Sequence, residues 1–73
     1  MTIINSNMAG NVWKVLVKKG DMITEGQDVV ILESMKMEIP IPTEVTGIVK
    51  EVKVSEGDFV NDGDELVVIE KNS

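Results

Sequence analysis

One lysine stands between two methionines at Met35-Lys36-Met37, with Ser34 before it and a glutamate on each flank at Glu33 and Glu38. A lysine amine can accept an acyl group once it has lost its proton, and thioether side chains beside it offer a flexible apolar surface to a visiting protein. Little else in the chain could do chemistry. Histidine and cysteine are both absent, which excludes Ser-His-Asp and Cys-His nucleophile arrangements, zinc sites and disulfides. Asp58 to Ile69 has the length of a calcium loop and places Asp62 and Gly63 fifth and sixth, but Val60 stands third and Ile69 twelfth, where oxygen ligands are needed. No glycine loop of the GxxxxGK type occurs. The remaining carboxylates are scattered through turn-like segments, so neither a catalytic residue nor a metal site is expected.

The elements that must position Lys36 are written twice. Shifting the sequence by 37 residues pairs 1–36 with 38–73 without a gap, and ten of the pairs are identical. Gly10, Gly20 and Gly26 meet Gly47, Gly57 and Gly63; Asp21 meets Asp58, and Glu33 meets Glu70. After Gly10 the shared valines Val12, Val15 and Val17 alternate except for one three-residue step, and the same step follows Gly47. A β-bulge at that step restores the inward face to the valines that follow it. Lys18–Asp21 and Ser55–Asp58 read as turns with a glycine able to take φ > 0, and a second turn follows around Gly26 and Gly63. The β-branched runs 29–32 and 66–69 close each half as buried strands.

About four strands per half predicts an all-β fold of eight strands, a flattened barrel or sandwich of two four-stranded halves related by a pseudo-two-fold axis. Residues 1–73 are expected to form one domain, because a chain of this length holds a single core. Only Trp13 and Phe59 are aromatic, so that core must be aliphatic. The axis makes residue 36 equivalent to residue 73, which predicts that the junction between halves projects from one end of the molecule while the termini meet at the other. The junction also breaks the local rules. A two-residue reversal normally needs Asn-Gly, Asp-Gly or a leading glycine, and Met35-Lys36-Met37 supplies none, at a cost in backbone strain.

Composition narrows the partners. Thirteen Asp and Glu against seven lysines give a net charge of −6, and the lysines do not cluster, which argues against nucleic acid and anionic membrane and for proteins. The N-terminus lacks a basic start followed by an apolar run, and no stretch approaches membrane-spanning length. A cytoplasmic location is expected.

Glu33-Ser34-Met35-Lys36-Met37-Glu38, preceded by Met8-Ala9-Gly10 and followed by Gly47-Ile48-Val49, resembles the biotinyl domain of the biotin-dependent carboxylases over essentially the whole chain. The resemblance implies the biotinyl/lipoyl-carrier fold, covalent biotin on Lys36, and Met35 and Met37 as the flank that a biotin protein ligase recognises. Glu33, Ser34 and Glu38 would support the hairpin. It further implies a carrier with no catalytic role of its own, moving a carboxyl group from a biotin carboxylase to a carboxyltransferase. Only a neutral amine attacks an activated acyl group, and a free lysine is almost wholly charged at neutral pH, so the ligase must remove the proton.

The chain's length and first methionine suggest a free-standing attachment protein rather than a fragment of a long carboxylase. Many biotinyl domains have alanine where Ser34 stands, a small-for-small change. Some bacterial carriers insert a thumb over the biotin; residues 18–29 align with 55–66 without an extra residue, so a thumbless carrier is implied, with its biotin less protected. Two other readings stand beside this one. A lipoyl carrier shares the fold and the lysine, with lipoate as cofactor, but usually presents Asp-Lys-Ala at the tip. An unmodified β adaptor, like the lipoyl-like hairpins of membrane-fusion subunits, would use the tip only as an interaction surface.

Overall fold

The alternation that follows each glycine turn produces eight short strands in a computed structural model that describes residues 1–71. They are β1 (Thr2–Asn5), β2 (Gly10–Val15), β3 (Met22–Ile23), β4 (Asp28–Ser34), β5 (Met37–Pro42), β6 (Gly47–Val52), β7 (Phe59–Val60) and β8 (Glu65–Lys71). The repeat is visible strand by strand, since β2, β3 and β4 begin 37 residues before β6, β7 and β8. Burial repeats as well: Gly10 and Gly47, Val12 and Val49, and Leu32 and Ile69 all point inward.

The strands form two antiparallel sheets, ordered β1-β8-β6-β3 and β5-β4-β2-β7. Exchanging the halves, so that β1 becomes β5 and β4 becomes β8, converts one order into the other. That is the expected pseudo-two-fold axis. Each sheet nevertheless takes two strands from each half, so neither half has a sheet of its own and the halves must form together. Between the sheets lie thirteen buried apolar side chains, all of them Val, Ile or Leu, with Ile23, Val29, Val30, Leu32, Leu66, Val67 and Ile69 fully sealed from solvent. Val15 and Val52 pack against this core from partly buried positions.

The irregular valine spacing has the anticipated cause. The β2–β4 register slips between Val12 and Lys14, and the β6–β8 register slips between Val49 and Glu51, at matching positions in the two halves. In the turn 18–21 the N–H of Asp21 donates to the Lys18 carbonyl at 3.0 Å, and the Asp21 side chain accepts from the N–H of Lys18 at 2.9 Å. Ser55–Asp58 repeats both bonds at 3.0 and 2.8 Å. Gly20 and Gly57 take φ of 95° and 96° in these turns, a region that costs other residues dearly. The stretches between β2 and β3 and between β6 and β7 are equally long, so the first half carries no protruding insertion.

The halves interlock through paired loops. The N–H of Ser6 donates to the Asp64 carbonyl and that of Gly63 to the Ser6 carbonyl, at 2.8 and 2.7 Å. Thr43 makes the same two contacts with Gln27 and Gly26, both at 2.9 Å. Ser6 and Thr43 are the buried polar residues among those described, and each hydroxyl is satisfied locally: it donates to the carbonyl, and accepts from the N–H, of the residue two positions on. The chain ends are brought together by Thr2 pairing with Ile69. Ser73, the formal equivalent of Lys36, lies outside the described residues. Among the described residues no helix is long and apolar enough to cross a membrane.

Close backbone approach fixes two of the glycines. A Cβ at Gly47 would collide with the Glu70 carbonyl oxygen and come within 2.9 Å of Ile69 Cγ2, whereas a Cβ at Gly10 would reach the Glu33 carbonyl at 3.0 Å. Gly47→Ala is expected to lower unfolding stability by about 1–3 kcal/mol, as overpacking does, and Gly10→Ala by less. Urea denaturation of both variants checks this, and a Gly47→Ala protein as stable as the parent would contradict it.

Candidate functional site

The site is the turn between β4 and β5. Ser34 pairs with Met37 as the last rung of the ladder, leaving Met35 and Lys36 as the two central residues. Their φ values are 52° and 65°, and they are the non-glycine residues with positive φ among those described. Positive φ at both centres defines the mirror-image turn whose twist matches a β-hairpin. A side chain in this region costs about 1–2 kcal/mol per residue. Asn-Gly would relieve much of that, so the turn geometry alone does not explain Met-Lys.

The side chains at the tip point into solvent. Met35 is 92% and Met37 63% exposed, and Lys36 is exposed between them. Among the described residues Lys36 makes no ion pair; the pairs present join Lys50 to Glu70 and Lys53 to Glu51. Its amine is therefore free to meet an incoming acyl group, on a backbone held in one conformation by the ladder beneath.

Glu33 and Glu38 lie directly opposite each other one rung below. Facing carboxylates repel, and alternation turns the Glu38 backbone away from β4, so this pair adds no bond across the hairpin and instead gives the tip a negative base. The repeat sharpens the contrast. Glu70, the partner of Glu33 in the second half, is bonded to Lys50 at 3.0 Å, but the residue equivalent to Lys50 is Trp13. Trp13 instead lies under the Lys14 ammonium, 5.4 Å from its ring centre, a cation–π distance. The half that carries the tip thus lacks the cation that neutralises its twin.

Ser34 is half-buried and braces the tip from below. Its Cβ lies 3.5 Å from where a side chain on Gly10 would begin, and Asn11 pairs with Glu33 on the next strand. All six residues singled out from the sequence, 33 to 38, thus fall in one hairpin end. The Gly10 support was not anticipated as a contact, although Met8-Ala9-Gly10 was noted as part of the pattern. The buried hydroxyls of Ser6 and Thr43 were also missed; their spacing of 37 residues and shared hydroxyl were the available signal.

Comparison with known proteins identifies the family and the fold. A family model described as "Biotin-requiring enzyme" matches residues 2–69. The chain is 62% identical over 45 residues to the Biotin/lipoyl attachment protein of Bacillus subtilis (strain 168), an alignment covering 62% of either chain. It is 54% identical over 35 residues to the Methylmalonyl-CoA carboxyltransferase 1.3S subunit of Propionibacterium freudenreichii subsp. shermanii, covering 48% of this chain and 28% of that one. A solved single-chain, multi-domain long-chain acyl-CoA carboxylase superposes with a TM-score of 0.91 at 28% identity, over 99% of this chain and 7% of that one. The matched region therefore spans less than two thirds of these relatives' own length.

Because Lys36 is held at positive φ, Lys36→Gly is expected to stabilise the protein. The expected gain is about 1 kcal/mol from relief of one left-handed side chain, read as a raised urea midpoint. A lowered midpoint would mean that the Lys36 side chain packs against the hairpin instead of standing clear of it.

Proposed function

The chain belongs to the biotin/lipoyl attachment family of biotin-requiring enzymes and is a non-catalytic biotin carrier, and from that premise we propose that biotin is held in amide linkage on Lys36. Residues 1–73 act in this reading as one attachment domain. Held on Lys36, biotin would supply the acceptor for a carboxyl group loaded at a biotin carboxylase and given up at a carboxyltransferase. The observation that carries the assignment to Lys36 is the two-residue turn: a lysine occupies a strained left-handed position that glycine would fill more cheaply, with its side chain exposed and its amine in no ion pair among the described residues.

The residues present fit the cofactor. Attachment needs an accessible primary amine, and Lys36 offers one without a competing carboxylate contact. The Nζ attacks the carbonyl carbon of an activated biotinyl group, the activating group leaves with its electron pair, and the ligase takes the proton. Biotin supplies a ureido nitrogen able to bind carbon dioxide, chemistry that no side chain of this protein provides. The chain's own contribution is mechanical. The paired β4 and β5 keep the lysine stem clear of the body, and the bulk of the domain stays outside while the arm enters a partner's site. Docking the domain beside a partner raises the local concentration of the arm at the reacting centre.

Met35 and Met37 form the ligase's recognition surface in this reading, flexible apolar groups on either side of the target amine. Ligase, carboxylase and carboxyltransferase are the proposed partners, and the cytoplasm is the compartment in which we place their encounter.

Three measurements test the reading. Streptavidin should capture the protein purified from ligase-containing cells and should not capture Lys36→Arg; equal capture of both, or of neither, would favour an unmodified adaptor. The intact mass of the same preparation should show biotin, and a lipoyl adduct as the sole native modification would overturn the cofactor. Peroxide oxidation of Met35 and Met37, in a background where Met8 and Met22 are replaced by leucine, should slow ligase loading several-fold by making both flanks polar. Unchanged loading would remove the methionines from recognition.

A further inference from the structure

The two-fold axis makes β1 and β5 equivalent edge strands, one at the rim of each sheet, but the sequence treats the two rims differently. Ser34 and Met37 close the hairpin, so alternation turns the backbone groups of Met37, Ile39 and Ile41 toward β4 and those of Pro40 and Pro42 away from it. Proline has no N–H to offer, and its presence on a rim blocks the addition of another strand. The rim of β5 is closed twice over.

The rim of β1 is open. Its register against β8, with Ile3 opposite Val68 and Ile4 opposite Val67, repeats that of β5 against β4. The bond from the Ser6 N–H to the Asp64 carbonyl at 2.8 Å matches that from Thr43 to Gln27 at 2.9 Å, so the parity is the same. Ile3 and Asn5 therefore stand where the other half has Pro40 and Pro42, and both direct an N–H outward. Among the described residues no strand pairs on that side. Ile3 is 43% exposed. Beside it lies a groove of about 320 Å³ lined by Thr2–Asn5, Asn7, Ile41, Pro42 and Glu44.

We propose that this rim and groove take up an extended, basic segment of a partner polypeptide as a further strand. Backbone bonds at Ile3 and Asn5 would hold it, as in other strand additions, and a lysine or arginine of the segment would meet Glu44. Charge selects this occupant. Glu44 is the one charged side chain lining the groove, and a second copy of the chain would bring another net charge of −6 against the first. Position suits a carrier. Five strand steps of ~3.3 Å separate Met37 from Pro42, about 16 Å, so an occupant at the groove leaves the Lys36 tip uncovered. A tail bound there would keep the domain near its enzyme while the tip moves between sites. The partner's role rests on the carrier reading; the binding itself does not require biotin.

The test is a titration of ¹⁵N-labelled, unbiotinylated protein with two capped peptides, acetyl-Lys-Val-Lys-Val-Lys-amide and its Glu-Val-Glu-Val-Glu counterpart. The basic peptide should shift the amide signals of Ile3, Asn5 and Glu44 and slow exchange of the Ile3 N–H, and the acidic peptide should not. Ile3→Pro and Asn5→Pro, which copy residues the other half tolerates, should each weaken binding about five- to tenfold, the loss of one backbone bond. Core signals unchanged from the parent show that each variant is folded. Shifts located elsewhere, equal binding of both peptides, or binding indifferent to both prolines would overturn the proposal. So would shifts of the same amides on raising protein concentration alone, which would assign the rim to a second copy. Binding at the rim by a chain never biotinylated in cells would instead sink the carrier reading and leave the rim site standing.

Discussion

Two consecutive side chains held at positive φ, Met35 and Lys36, are the constraint around which the rest of this small fold is arranged. An isolated hairpin with such a turn would be marginal at best. Here the conformation is imposed from below: six rungs of β4–β5 pairing run from Ser34–Met37 down to Asp28–Pro42, and β2 supports the other side of β4 from Asn11 to Val15. Local strain of this kind persists where the surroundings over-determine it. A lysine on such a base is presented in one direction, which a flexible loop would not achieve.

The scaffold meets that demand without cysteines and, among the described residues, without aromatic core residues or helices. It does so by duplication with exchange. Each sheet borrows two strands from the other half, and Ser6 and Thr43 each tie their loop to a glycine turn across the axis. The thirteen aliphatic core residues are thus enclosed by a surface in which every half depends on the other. Small domains are short of buried area, and this mutual dependence is how a chain of 73 residues acquires a single cooperative core. Where the duplication is imperfect, the core exchanges aliphatic for aliphatic, as in Val29 against Leu66 and Leu32 against Ile69, whereas changes of chemical character fall at exposed positions, Trp13 against Lys50 and Pro40 against Ile3.

Much of this was legible in the sequence because symmetry makes a pattern checkable against itself. The three-residue valine step announced the bulges at Val12 and Val49, and the repeated glycines announced their turns, since in each case one local geometry satisfies the spacing. The tip was legible as a violation, the single reversal without glycine. Sheet membership was not, because a repeat says that two halves fold alike and says nothing of whether strands pair within a half or across. The buried hydroxyls escaped for a related reason. A lone serine or threonine just after a strand reads as loop, and its burial depends on backbone bonds to a glycine turn of the opposite half. The facing carboxylates of Glu33 and Glu38 required the register, which a turn of uncertain length would have shifted.

The central claim is that one lysine of seven is presented for acylation by the fold itself. Tandem mass spectrometry of the protein after exhaustive reaction with a biotin ligase measures this directly, by locating every adduct along the chain. The account requires a single biotinyl group per chain, on Lys36, with Lys14, Lys18, Lys19, Lys50, Lys53 and Lys71 unmodified. Biotin distributed over Lys18 and Lys19, or absent from residue 36, would contradict it.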